Sequence, residues 1–265
     1  MIKLSVVTPA YKEPHLNQTI TSLLENSELG DALEVIAVFD GYWPTEPLIQ
    51  DKRVRYIHVG QNRGPKGCIN TGIAASRGEF FMRLDCHCMF GPGYDRIMTE
   101  SCGPKDVMTA RRYFLDPVKW ERMDIPYVDY EKLVIQEGKK FSGQRWKSRD
   151  EERKDIMVDE TMAMQGSMWI TSRAWFDTIC GGRLQEEGYG PAYQDSTEVS
   201  MKSWKNGGRL MLNKNTWFAH KHRDFPRTHQ EGTTENPWKR EESWAFALKE
   251  WKDYYEKEVA PRWFQ

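Results

Sequence analysis

Hydrophobic positions in the first hundred residues alternate between two rhythms. Leu4-Ser5-Val6-Val7 is a short apolar run that stops at Thr8-Pro9, and Leu16, Ile20, Leu23 and Leu24 follow at helical spacing, with Gly30 as the expected C-cap. Residues 33–39 are almost continuously apolar and β-branched, the pattern of a strand buried on both faces. Residues 54–59 alternate as a third strand, 65–76 form a small-residue helix that Gly78 ends, and 79–84 supply a fourth strand. Such alternation predicts an α/β fold with a mostly parallel, doubly wound sheet flanked by helices. Ligands of these sheets bind beyond the carboxyl ends of the strands. Thr8-Pro9-Ala10-Tyr11, Phe39-Asp40-Gly41 and Leu84-Asp85-Cys86-His87 all fall at such ends, so one crevice would collect them.

The second half is less regular. Residues 120–158 are polar and charged without a period and read as a long excursion or flexible loop. Residues 162–170 are strand-like, 172–179 form a short helix closed by Gly181-Gly182, and 194–206 are helical up to Gly207-Gly208. Residues 209–222 carry two strand-like segments, and 241–258 form a Trp-rich amphipathic helix. No repeat and no linker divides the chain, so a single domain is expected.

Composition narrows the class of function. The chain has 265 residues, 39% hydrophobic and 29% charged, which is globular composition. Thirty-eight basic against thirty-nine acidic residues give a formal charge of −1, which argues against nucleic-acid binding by global charge and leaves a local basic face open. No apolar run approaches the roughly 18–20 residues of a membrane span, and Met1-Ile2-Lys3-Leu4 is too short an opening for a signal peptide. Five cysteines (Cys68, Cys86, Cys88, Cys102, Cys180) fit a reducing compartment better than a disulfide framework. A soluble, cytoplasmic enzyme is the expectation.

Asp85-Cys86-His87-Cys88 carries the sharpest chemistry. Residues i and i+2 of an extended chain point the same way, so Asp85 and His87 converge, and a carboxylate with an imidazole suits Mn²⁺ or Mg²⁺. The competing readings are a turn-capping Asp beside a packed His, and a zinc site using Cys86 and Cys88, for which no second Cys/His pair has the usual spacing. His220 and His222 share a strand face and could supply a further ligand; the bland reading is two surface histidines in a basic turn. From Met201 to His229, seven Lys/Arg stand against one acid, a candidate diphosphate patch with Arg223 or Arg227 as a clamp. Asp195 and Glu198 lie three apart, on one face of a helix. Asp40 is either the acid of an Asp-Gly turn or a base-reading group.

Several segments in order resemble GT-A-fold glycosyltransferases. Val6-Val7-Thr8-Pro9-Ala10-Tyr11-Lys12-Glu13 is similar to their opening strand, and Phe39-Asp40-Gly41 stands where their second strand ends in the Asp that reads the base. Residues 62–72, from Asn62-Arg63-Gly64 to Asn70-Thr71-Gly72, with Ala75-Ser76-Arg77-Gly78-Glu79 after them, resemble a family 2 run. Leu84-Asp85-Cys86-His87-Cys88 is closer to the D-x-H-C of polypeptide N-acetylgalactosaminyltransferases than to the D-x-D of family 2. Met164-Gln165-Gly166-Ser167-Met168-Trp169 and residues 195–204, with Gly207-Gly208, are similar to two further segments of those enzymes. Gln194-Asp195 departs from both patterns and leaves stereochemistry open.

The resemblance implies a single GT-A domain, with residues 1–100 as a nucleotide-binding half, 101–230 as an acceptor and sugar half, and 231–265 as a helical extension. It implies Mn²⁺ (or Mg²⁺) on Asp85, His87 and a histidine of the 220 region, with His220 favoured. The implied nucleotide-sugar contacts are Thr8, Pro9, Ala10, Tyr11, Glu13, Asp40, Arg63, Lys66, Gly67, Asn70, Arg83, Gly166, Ser167, His222 and Arg223, and Asp195 and Glu198 are the implied catalytic pair. The donor would be a UDP-sugar and the acceptor a hydroxyl. One acceptor is a hydroxymethylated pyrimidine in DNA, met by the basic residues of 139–154; another is a bacterial glycan, a lipid-linked precursor or a protein. A non-catalytic sugar-nucleotide-binding module and a nucleotidyltransferase are the readings from other classes.

Overall fold

The apolar runs of the first hundred residues become parallel strands because each is buried on both sides. The computed structural model describes residues 1–222 and 240–264. Strand β1 (Leu4–Ala10), helix α1 (Leu16–Glu25), strands β2 (Leu33–Asp40) and β3 (Val54–Val59), helix α2 (Gly64–Ala75) and strand β4 (Phe80–Leu84) follow in order. β1 pairs in parallel with both β2 and β4, and β2 pairs in parallel with β3. Leu4 and Val6 of β1 pack with α1 on one face, while Val7 packs with Ile69 and Ile73 of α2 on the other. Gly30 does not cap α1, which ends at Asn26; it opens a short 3₁₀ turn at Gly30–Ala32 that leads into β2.

The sheet then continues past β4 in mixed sense. Strand β5 (Cys88–Phe90), helix α3 (Tyr94–Ser101), the eleven-residue strand β6 (Asp106–Asp116) and its short partner β7 (Glu121–Arg122) come next. A hairpin of β8 (Glu131–Gln136) and β9 (Lys140–Arg145), helix α4 (Lys147–Glu152) and strand β10 (Val158–Glu160) follow. Strand β11 (Met168–Ser172), helices α5 (Arg173–Cys180) and α6 (Asp195–Lys205), and strand β12 (Arg209–His220) lead to α7 (Arg240–Tyr254), a π turn and α8 (Ala260–Trp263). Sheet order is β10-β12-β6-β11-β4-β1-β2-β3, with β5 on β12 and β7 on β6. β11 runs antiparallel between β4 and β6, and the other neighbours along the sheet are parallel except at the β10 edge. The expected mostly parallel sheet flanked by helices is therefore present, with one reversed strand at its centre.

Three segments differ from the pattern reading. Residues 120–158 are not a flexible loop. Glu137 and Gly138, both at positive φ, turn the chain between β8 and β9, and Leu133 and Phe141 are buried beneath. Asp159 of β10 accepts two bonds from Arg153, both 2.7 Å, and one from the Tyr130 hydroxyl at 2.6 Å, which ties the excursion to the sheet edge. Only one strand, not two, fills 209–222, with a register shift between Asn213 and Trp217. The strand expected over 162–170 starts only at Met168.

Burial alone would raise the Asp159 carboxyl, but the bonds from Arg153 and Tyr130 outweigh it and hold it at about 2. A carboxylate lowered in the folded chain contributes fully above about pH 4, and that contribution fades as pH falls toward 2. Asp159→Asn is therefore expected to lower stability at pH 7 by about 1–2 kcal/mol. The deficit should shrink as the pH falls from 4 to 2, which urea denaturation across that range measures.

Candidate functional site

Sheet geometry brings four chain segments to one point. On β4, Phe81 faces α5 and α6, and the i+2 rule puts Arg83 on that same side. Asp85 follows two residues later, and its amide donates to the Ser167 carbonyl at 2.8 Å, which sets Gly166-Ser167 beside it. β5 pairs antiparallel with the end of β12, so His220 lies opposite Cys88, and the Lys221 amide donates to the His87 carbonyl at 3.1 Å. Asp85, His87 and His220 thus each aim a ligand atom into one region, all within 4.8 Å of one another. His220 Nε2 is 3.2 Å and His87 Nε2 3.9 Å from Asp85 Oδ2.

These residues fit a divalent cation. His87 Nδ1 contacts Glu13 Oε2 at 3.0 Å, which fixes the ring and turns Nε2 toward Asp85 and His220. Burial pushes the His220 imidazole down to about 4 despite Asp85, so it is neutral with a lone pair to give at pH 7. Neither His220 ring nitrogen has a well-aligned hydrogen-bond partner among the described residues, an arrangement that costs about 1–3 kcal/mol unless another group meets it. One carboxylate and two imidazoles form a borderline donor set that suits Mn²⁺. Glu13, Cys86 and His87 also gather closely, but Cys86 and Cys88 are packed into the core, and burial pushes the Cys88 thiol well above its ordinary value.

A buried guanidinium links this group to the next. Arg83 Nη1 donates to Asp85 Oδ1 at 2.7 Å, and Arg83 Nε lies 3.1 Å from Asp195 Oδ2 at the start of α6. Burial works against the charge on Arg83, but the two carboxylates outweigh it and raise its pKa. Gly166 leaves room for this: a Cβ there would come within 3.1 Å of Asp195 Oδ1. Asp85, Asp195, Gly166, Ser167, His220 and His222 line a cavity of about 320 Å³. A second cavity of about 420 Å³ opens on the other side of Glu13, between Ala10, Phe39, Tyr42 and Leu48.

The remaining expected residues separate. Ala10 and Glu13 line the larger cavity; Thr8 is fully buried on β1, Pro9 precedes Ala10, and Tyr11 stands exposed, edge-on to Tyr42. Asp40 accepts the Arg63 and Gly64 amides, 2.9 Å for the latter, and so caps the start of α2; burial raises its pKa against those two bonds. Glu198 does not sit beside Asp195 in the cavity. It is 0% exposed, clamped by Lys202 at 2.7 Å and Lys66 at 3.3 Å, and accepts the Gln185 amide. The i, i+3 spacing of Asp195 and Glu198 is real, but the helix turns one into the cavity and the other into the core. Lys66 is likewise withdrawn, with its ammonium over the Tyr189 ring and on the Gln185 carbonyl; Asn70 holds Leu184 and Glu186, and Gly67 packs beside Arg63. His222 packs on Phe114, near Arg112, with its ring 5.0 Å from that of His220; it lines the 320 Å³ cavity without joining the Asp85–His87–His220 group.

Of the basic patch, Lys202 pairs with Glu198 and Arg209 with Asp106, Lys214 bonds the Arg153 carbonyl, and Lys205 lies over Trp251, while Lys221 approaches His15 at 3.4 Å; Arg223 and Arg227 lie outside the described residues. Sequence reasoning missed Glu131, Gln165 and Gln194, which line the smaller cavity. Alternation of Leu133 and Ile135 before Glu137-Gly138 was the available hairpin signal for Glu131.

The site is thus an α/β sheet with Asp85 and His87 at its carboxyl edge and a cavity of about 420 Å³ beside them. The sequence profile of Glycosyl transferase family 2 matches residues 5–180, and the chain belongs to that family. It is 25% identical over 229 residues to polypeptide N-acetylgalactosaminyltransferase 12 of Mus musculus, which covers 78% of this chain and 38% of that protein. It is 36% identical over 88 residues to the succinoglycan biosynthesis protein ExoO of Rhizobium meliloti (strain 1021), 31% of this chain and 25% of that protein. A crystal structure of GalNAc-T7 with UDP, GalNAc and Mn²⁺ superposes with a TM-score of 0.74 at 15% identity, covering 98% of this chain and 50% of that one, which establishes the GT-A-like fold. The chain thus spans half or less of each of these relatives.

Glu13→Gln is expected to weaken Mn²⁺ binding by about 10- to 100-fold, since partners behind a ligating histidine have effects of that size. Titration calorimetry reads this directly, and an affinity equal to wild type would remove His87 from the ligand set.

Proposed function

We propose that this protein is a metal-dependent glycosyltransferase that moves a sugar from a UDP-sugar to a hydroxyl. The observation that carries the reading is the convergence of Asp85, His87 and His220 beside a cavity whose far wall is an Arg83-paired Asp195. Mn²⁺ held there would offset the negative charge that grows on the departing diphosphate. The cavity around Ala10, Glu13, Phe39 and Tyr42 is the place for the nucleoside, with aromatic walls for a base and carboxylate and amide edges for a ribose. Asp195, placed against Arg83, offers a carboxylate oxygen as acceptor to a sugar or acceptor hydroxyl within the 320 Å³ cavity. Gly166-Ser167 forms the floor on which that sugar ring lies.

A carbohydrate acceptor is the reading we favour. The basic side chains of 139–154 that would meet a DNA backbone are largely taken: Arg145 pairs with Asp150, Arg149 and Arg153 with Asp159, and Lys154 with Glu151. That arrangement gives a DNA acceptor no support. No helix among the described residues is long and apolar enough to cross a membrane.

The test is Mn²⁺-dependent release of UDP from a panel of UDP-sugars. Asp85→Ala is expected to lower the rate by at least about 100-fold, the scale of losing one charge-stabilising group. Release of pyrophosphate in place of UDP would instead mark a nucleotidyltransferase, and no release with any donor would mark a binding module. Asp195→Asn is expected to cut kcat by about 100- to 10,000-fold with donor KM little changed. A loss confined to KM would make Asp195 a binding group only.

A further inference from the structure

The cavity at Asp85 and Asp195 does not end there. Gly143, Met164, Gln194 and Ser196 also line a neighbouring cavity of about 280 Å³, enclosed by the β8–β9 hairpin, the start of α6 and the start of α7. One ligand can therefore run from the first into the second. Ser142, Ser196, Thr197 and Gln194 give the second cavity a wall of hydroxyls and an amide, and Trp244 gives it an aromatic one.

Gln194 is the informative residue. It precedes α6 at φ +62°, a left-handed conformation that non-glycine residues rarely adopt and that persists where the surroundings impose it. Its Nε2 donates to the Phe141 carbonyl at 3.4 Å, and its buried Oε1 has no hydrogen-bond partner among the described residues. Hydroxyl and amide groups gathered along one wall suit a ligand rich in hydroxyls, which both donate and accept. Trp244 adds an aromatic side chain to that wall, its ring held by Lys140 Nζ at 4.5 Å and the Arg240 guanidinium at 4.8 Å. Hydroxyl and amide groups beside an aromatic side chain suit a pyranose ring. Among the described residues a single lysine lines the space, too few cations for a polyphosphate backbone.

We propose that this second cavity is an acceptor subsite for a pyranose, one unit removed from the ring whose hydroxyl receives the sugar. The preferred acceptor is then at least a disaccharide. α7 lies beyond the residues 5–180 matched to the family, so part of the subsite comes from outside that shared region. The inference rests on the glycosyltransferase reading above and deepens it.

The test compares methyl glycosides of glucose, galactose and N-acetylglucosamine with their 1→4-linked disaccharides, as acceptors with Mn²⁺ and UDP-sugars. Saturation-transfer NMR of the same saccharides on the protein without donor is recorded in parallel. For at least one configuration the disaccharide should show a KM about tenfold or more below that of the monosaccharide, equivalent to about 1.4 kcal/mol. Ser142→Leu, which fills the cavity from the hairpin, and Trp244→Ala, which removes its wall, should abolish that advantage while donor hydrolysis by water persists. Equal KM values for both acceptor lengths, or variants that keep the disaccharide advantage, overturn the subsite. Disaccharide binding that both variants abolish, without any turnover, keeps the subsite and overturns the transferase reading. Absence of both binding and turnover for every saccharide overturns the subsite.

Discussion

One buried guanidinium holds together two carboxylates that would otherwise repel each other. Arg83 bonds Asp85 on one side and lies against Asp195 on the other, at the join between the Asp85–His87–His220 group and the 320 Å³ cavity. Removing two carboxylates from water is tolerable only when a cation and further hydrogen bonds compensate them. Because Arg83 sits within a strand paired on both sides, that cation cannot drift, and both carboxylates inherit its position. The placement of Asp195 relative to Asp85 is thus set where β4 meets the start of α6.

The sheet's mixed order supplies the rest. Parallel strands β1 to β4 end together and present Ala10, Asp40 and Asp85 along one edge, as the doubly wound arrangement requires. β12 runs in the same sense as β4, because β11 is antiparallel to both β4 and β6 and β6 is parallel to β12. Its carboxyl end therefore falls at the same edge; there it pairs with β5, which sets His220 opposite Cys88 and next to His87. A ligand group made from residues 85, 87 and 220 is therefore as rigid as the sheet that carries it.

Polar residues near the site divide into two sets. Glu13, Arg83 and Asp195 contact the ligand group or its cavities. Lys66, Asn70 and Glu198, which have the same residue types and lie in equally suggestive motifs, fasten α2 and α6 to the 183–186 segment. Fully buried Glu198 with two ammonium partners is a structural clamp on the first turn of the helix that also bears Asp195. The clamp still matters to the chemistry, through position and not through contact.

Local pattern determined much of this protein. Alternating apolar runs define β1 to β4 and the helices between them, because burial on both faces leaves few other ways to read residues 33–39. The two-residue steps from Asp85 to His87 and from His220 to His222 were legible in the sequence, but Asp85 and His87 lie in the bend between β4 and β5 and His222 lies past the end of β12, so strand geometry alone does not place them. Tertiary structure decided which of His220 and His222 joins Asp85 and His87, because pairing with β5 and the packing of His222 on Phe114 are long-range events. It also decided that Glu198 is core and Asp195 cavity, that the charges of 120–158 pair with each other around a hairpin, and that Glu13 stands behind His87. Spacing states which side chains share a direction. Only the packed neighbours state whether that direction leads to solvent, to a cavity or to an opposite charge.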